Sequence, residues 1–245
     1  MRMINNEMIK ALNNRPYWFA ITFYMIFCVL ALFRVLIVDA RTDLIGSLND
    51  MMGLSIVVVL LMTFIITNNI GLDFKHKSIK FEIISGLTRK EKFISNLVAV
   101  AMHAFMLTLF LFLLSEIYYL IVNGHLVLFR LSVLNFFLTY FLWSFIFSCF
   151  VNAVVLLTKH GTGAFFIVFV YLIIEVLLVE ANVLSLEAEA VEKLSSYLLL
   201  GSIFNLLISD LFALESFRTV AIPLLYLVLF SGISYFRIKS MSVNE

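Results

Sequence analysis

The chain has 245 residues, of which 63% are hydrophobic and 13% charged, with 26 Phe and a mean hydropathy of +1.07. This composition excludes an ordinary soluble domain and reads as an integral membrane protein. A formal net charge of +1 gives no reason to expect nucleic acid as a partner; the information lies in where the charges fall. Two Pro and nine Gly suit helices, whose backbone groups are satisfied internally in lipid. The continuous apolar runs lack the short alternation of a β-barrel. Cys28 and Cys149 lie in apolar spans without metal-type spacing and read as free thiols.

At the N-terminus, Met1, Ile4, Met8, Ala11 and Leu12 recur at helical spacing, with Asn5, Asn6, Glu7, Lys10 and Asn13 opposite. This predicts an interfacial helix over residues 1–16, with a frayed polar tail as the alternative. Arg15-Pro16-Tyr17-Trp18 then supplies a turn and headgroup-level aromatics. Six segments are then long and apolar enough to cross a bilayer: Tyr17–Val38, Met51–Ile70, Leu97–Val122, Ser132–Leu157, Ala164–Val179 and Thr219–Phe236. The fifth is short and reaches a comfortable length if extended to Gly161 or Ala181. The first has too long an apolar run for a cleaved secretory signal and no A-x-A site after it.

The loop from Gly71 to Asn96 holds six of the 17 Lys and Arg residues: Lys75, Lys77, Lys80, Arg89, Lys90 and Lys92. Short basic loops stay on the cytoplasmic side, and placing the N-terminus inside puts twelve bases in the cytoplasm against five outside. Both termini are then cytoplasmic. Within the loop, Asp73 reads as the N-cap of a short helix with an apolar stripe of Ile79, Ile83 and Leu87, which Gly86 ends. Thr88 and Glu91 have the spacing of a capping box at the start of the next helix. The loop is thus a cytoplasmic elbow over 71–96 that presents bases and an apolar stripe. It serves either to bind anionic headgroups or to dock a soluble cytoplasmic protein.

The outer connection from Glu180 to Arg218 carries its own helical pattern, with Val183, Leu186, Ala190 and Leu194 set against Glu187, Glu189 and Glu192. Residues 180–218 are expected to form two short helices dipping partly into the outer leaflet. No repeat or linker divides the chain, so residues 1–245 read as one domain.

This order of elements resembles the permease subunit of type-2 ATP-binding-cassette (ABC) exporters. The residues Asp73, Lys77-Ser78-Ile79-Lys80 and Ile84-Ser85-Gly86-Leu87-Thr88-Arg89 are similar to that family's loose elbow pattern. The sequence departs from the pattern at Lys77, where Gly is frequent, at Asp73, where Glu is, and at Ser95-Asn96, where Gly-Lys is. The resemblance implies an all-α membrane fold with six transmembrane helices in a bacterial cell membrane. It also implies a cytoplasmic ABC ATPase subunit that binds ATP with Mg, and a second permease subunit in a homo- or heterodimer. An amphipathic peptide cargo follows from the branch of small, Phe-rich permeases that handle bacteriocins or phenol-soluble modulins. The ATPase contacts it implies are Lys75, Lys77, Ile79, Lys80, Ile83, Leu87, Arg89 and Lys90.

The chain has no G-x-x-x-x-G-K-[ST] loop, no H-E-x-x-H and no G-x-S-x-G, so it reads as non-catalytic, with no cofactor of its own. Charges inside spans are costly and often functional. Glu175 lies eleven residues past Ala164, about 17 Å along a helix, beyond the midplane of the span. It either faces a substrate path or partners Arg34, Arg218 or a neighbouring hydroxyl. Glu116 and Arg34 sit near outer ends and read as snorkelling. Phe136, Phe137, Phe141, Phe145 and Phe147 read mainly as lipid-facing, with a hydrophobic path as the alternative. An ion-coupled secondary transporter and a toxin-binding immunity or scaffold protein are the competing functions.

Overall fold

A computed structural model describes residues 55–76, 78–123, 131–184 and 217–241, together with residues 18, 19, 22, 23, 26, 29, 198, 199 and 201. The chain is all-helical there, with α1 (Ser55–Lys75), α2 (Ser78–Ile84), α3 (Arg89–Asn123), α4 (Leu131–Thr158), α5 (Gly161–Leu184) and α6 (Phe217–Ser240). Among the described residues, three apolar stretches are long enough to cross a membrane: Arg89–Phe110 in α3, Phe137–Thr158 in α4 and Val220–Ser240 in α6. The expected interfacial helix over 1–16, most of the first span and most of the outer connection lie outside the described residues. Trp18, Phe19, Thr22, Phe23, Ile26 and Val29 of the first span are helical, and Phe19 and Phe23 stack at 6.5 Å.

Helix α4 is the hub, packed against α1, α3, α5 and α6. Of its apolar stretch 61% is buried, against 17% in α6, so α4 occupies the interior and α6 the periphery. Tyr140, Trp143, Ile146 and Phe147 are fully enclosed, with Tyr140 and Trp143 rings 5.0 Å apart. The lipid-facing reading is corrected for Phe147, and the Phe136 side chain lies outside the described residues. Phe147 is core, while Phe137, Phe141 and Phe145 are half-buried, Phe141 and Phe145 packing against that core. A helix that is apolar on every side shows no preferred face in its sequence, and only its neighbours reveal that it is central.

The buried threonines are tolerated inside this bundle because their hydroxyls turn back onto their own helix. Thr63 donates to the Val59 carbonyl, Thr67 to Thr63, Thr108 to Ala104 and Thr139 to Asn135, at 2.7–2.9 Å. Outward, α5 exposes Phe166, Ile167, Val170, Ile173, Ile174 and Leu177, and α6 exposes Leu225, Val228 and Leu229. Contiguous apolar surface of this extent suits a hydrocarbon surrounding and not water.

Candidate functional site

Five helix ends and one short helix meet at one pole of the bundle. They are the C-termini of α1, α4 and α6, the N-termini of α3 and α5, and the short α2 between α1 and α3. Contacts between the termini fix this arrangement. Arg89 Nη1 donates to the Lys239 carbonyl at 2.8 Å, Arg237 Nε donates to the Leu156 carbonyl at 3.2 Å, and the Phe93 and Tyr235 rings meet edge-on at 5.3 Å. Arg237 at the end of α6 thus satisfies a carbonyl in the last turn of α4, and Arg89 at the start of α3 satisfies one in the last turn of α6. Lys75, Arg89, Lys90, Lys159, Arg237 and Lys239 all gather at this pole.

Helix α2 is held between its neighbours by a buried charge cluster. Lys92, 2% exposed, places Nζ 2.8 Å from Glu82 Oε2 of α2 and 3.4 Å from Asp73 Oδ2 of α1. One ammonium therefore ties α1, α2 and α3 together, and a lysine can be buried at this depth because two carboxylates face it. Asp73 is thus not the N-cap of the short helix. Nothing in Ile70–Lys75 interrupts the helical run, so α1 carries through Asp73, and α2 starts at Ser78. Helix α2 closes in a Schellman turn: Leu87 N–H donates to the Glu82 carbonyl and Gly86 N–H to Ile83, both at 3.1 Å, with Gly86 at φ 100°.

Helix α3 opens on a reciprocal cap. Thr88 N–H and its hydroxyl donate to Glu91 Oε2 at 2.9 and 2.7 Å, and Glu91 N–H donates to Thr88 Oγ1 at 3.2 Å. Those two hydrogen bonds, the side-chain one first, hold the Glu91 carboxyl below its ordinary range. At 35 residues, α3 is about 50 Å long, well beyond the roughly 30 Å of a hydrocarbon core, so it is longer than a single crossing requires.

Below the cap, Asn96 Nδ2 donates to Asn152 Oδ1 at 2.9 Å, and Asn152 Nδ2 donates to Ser234 Oγ at 3.3 Å, linking α3, α4 and α6. Asn69 Nδ2 of α1 donates to His103 Nε2 of α3 at 3.2 Å. These side-chain bridges hold the pole's helices in register where small apolar contacts would leave them free to slide.

Helices α4 and α5 join through Lys159 and His160 alone. Lys159 adopts the left-handed conformation at φ 57°, His160 Nδ1 accepts from Gly163 N–H at 3.2 Å, and Ala164 N–H donates to the His160 carbonyl at 2.9 Å. Helix α5 then crosses α1 at Gly161 and Gly71. A Cβ at Gly161 would fall 2.4 Å from the Thr67 carbonyl oxygen, and one at Gly71 would fall 2.8 Å from the Gly161 Cα. Only glycine allows this approach.

The expected partner contacts separate into two groups. Lys75, Arg89 and Lys90 are exposed, whereas Ile79 is buried and Ile83 and Leu87 are half-buried, so the expected apolar stripe turns inward and is not on offer. The exposed apolar residues of α2 are Phe81 and Ile84, on the opposite side of the helix. Lys80 is helical, its side chain lying outside the described residues, as does all of Lys77. The inward turn follows from Lys92, since its attachment to Glu82 sets the face of α2 that meets the bundle. Sequence reading missed Lys92 because it counted every base in the loop alike; the signal available was two acids, Asp73 and Glu82, placed inside a basic stretch.

Of two membrane carboxyls, Glu116 differs from expectation and Glu175 fits one of its two readings. Glu116 is 2% exposed, so it is enclosed by protein and does not snorkel. Glu175 is equally enclosed: its Oε1 accepts from Gly201 N–H at 3.2 Å, and the Tyr171 hydroxyl hydrogen-bonds to it. The neighbouring-hydroxyl alternative is therefore present in the geometry, and Arg34 lies outside the described residues. Among the described residues, no group of three His, Cys, Asp or Glu side chains is placed to hold a metal ion.

Comparison with protein-family models and with curated proteins finds no match for this chain.

Proposed function

We propose that this chain is the membrane-spanning, non-catalytic subunit of an ATP-driven exporter for an amphipathic or hydrophobic cargo, with peptide the best fit. In this reading the basic pole faces the cytoplasm, six spans cross the membrane, and residues 71–96 form the elbow on which a separate ATPase subunit bears. The observation that carries it is the Lys92–Glu82–Asp73 cluster, which makes α2 a braced part set between two long helices and no loose loop. A force applied to α2 is transmitted to α1 and α3 together, as a coupling element requires. The exposed residues it would offer are Phe81 and Ile84 of α2, together with Lys75 and Lys90. Two copies of the chain, or this one and a second permease, would enclose the path.

The test is tagged full-length chain purified from its native cells, with nucleotide hydrolysis measured on what accompanies it. An ATPase subunit should co-purify, and Phe81→Glu with Lys90→Glu should reduce its recovery at least tenfold while membrane insertion persists. Lys90 is a cleaner probe than Arg89, whose guanidinium also holds the end of α6. Export of cargo by vesicles containing this chain alone, with no ATPase, would overturn the proposal.

A further inference from the structure

The chain leaves α5 at Leu184, and at Leu199 it lies against the same helix again. Glu175 is nine residues before Leu184, about 13 Å back along α5 from its end, and Glu175 and Leu199 are each 2% exposed. Leu199 and Gly201 are helical and Leu198 is not, so their N–H groups belong to the opening turn of a helix, where no carbonyl of that helix accepts them. Side chains of α5 accept them instead. Gly201 N–H donates to Glu175 Oε1 at 3.2 Å, and Leu199 N–H donates to the Tyr171 hydroxyl, which itself donates to the Glu175 carboxyl. Tyr171 and Glu175 are four positions apart and project side by side from one face of α5. A row of aromatic rings holds the tyrosine in place. Phe150 of α4 lies 5.1 Å from it, Phe230 of α6 lies 5.1 Å from Phe150, and Tyr226 stacks on Phe230 at 5.7 Å.

We infer that Glu175 is a positioning residue, which together with Tyr171 seats the backbone of Leu199 and Gly201 inside the bundle through its acceptor oxygen and not through its charge. An N–H group inside a membrane bundle cannot turn to bulk water, so one left open there is costly. Two acceptors supplied from one face of α5 fix where the returning chain stops along that helix. The donors that reach the carboxyl from Gly201 and Tyr171 are a backbone N–H and a phenol, neutral groups that an amide oxygen accepts as well. A carboxyl kept for a cationic cargo or a coupling ion needs its ionisable oxygen, whereas one kept for position needs only the acceptor. The inference rests on this geometry and does not depend on the exporter reading.

Amide hydrogen exchange in the full chain, reconstituted in lipid nanodiscs, is followed at residue resolution by mass spectrometry. In wild type the Leu199 and Gly201 amides should be protected. Glu175→Leu, of similar size but without an acceptor, should speed exchange at Gly201 about tenfold or more, and Tyr171→Phe should do the same at Leu199. Glu175→Gln should stay within roughly twofold of wild type at both amides. Gly161→Ala, which strains the bundle at the start of α5, should leave both amides as they are. Fast exchange in Glu175→Gln would assign the effect to the charge and overturn the inference. Unchanged exchange in Glu175→Leu overturns it as well, and so does an equal rise in Gly161→Ala, which would show a general loosening.

Discussion

The Lys92 ammonium lies 2.8 Å from the Glu82 carboxylate, joining the second turn of α3 to the middle of α2 with almost no solvent between them. Removing the lysine leaves Glu82 and Asp73 facing each other across the space it filled. Loss of one partner from a buried pair costs about 3–5 kcal/mol, and less here because the Glu82 side chain keeps 28% exposure. Lys92→Met should therefore lower stability by about 2 kcal/mol, read by unfolding in detergent. Combined with Glu82→Gln, it should cost less than the two single changes summed, since they share one interaction. Strict additivity would show that the pair does not hold α2.

Gly161→Ala should be far more damaging than its one added carbon suggests. The methyl would meet the backbone oxygen of Thr67 at 2.4 Å, and a backbone cannot swing aside as a side chain can. Separation of α1 from α5 is expected to cost about 2–3 kcal/mol. Gly232→Ala is the matched comparison: nothing lies within 4 Å of its Cβ position, so alanine should be neutral or stabilising by up to about 1 kcal/mol. Thermal unfolding midpoints of the two variants check this, and equal shifts would refute the close crossing.

The cap of α3 should loosen in acid. The Thr88 hydrogen bonds favour the ionised Glu91 and depress its folded-state pKa, so the cap's contribution is present above the ordinary carboxylate pKa. It is lost as pH falls through the lowered folded value. Hydrogen exchange at the first turn of α3 should therefore accelerate at acid pH beyond its intrinsic trend. Glu91→Gln, which keeps an acceptor but cannot titrate, should remove that excess. A persistent excess in the glutamine variant would assign the effect to another group.

Local punctuation was legible from the residues. Gly86 with its left-handed backbone, Thr88 with Glu91 three positions on, and the start of α3 well ahead of its apolar run all act over one helical turn, and neighbouring residues alone decide them. Asp73 shows where that reasoning stops. An acid followed by a short amphipathic stretch has the pattern of an N-cap, yet the helix before it never ended, and its carboxylate faces a lysine nineteen positions away. The inward face of α2 was misread for the same reason: Ile79, Ile83 and Leu87 form a stripe from sequence, but whether a stripe faces a partner or the bundle depends on what lies beside it.

Composition and charge by themselves determined that this is a helical membrane protein whose bases crowd one loop, since hydropathy and the cost of charge in lipid act on every residue separately. Only the tertiary structure decided that α4 is the centre, that Gly71 and Gly161 allow two helices to touch, and that Lys92 is a buried brace among exposed bases. Each of those depends on residues far apart in the chain meeting at one place, where distance and exclusion of water set the energy, and no periodicity along the sequence records such a meeting.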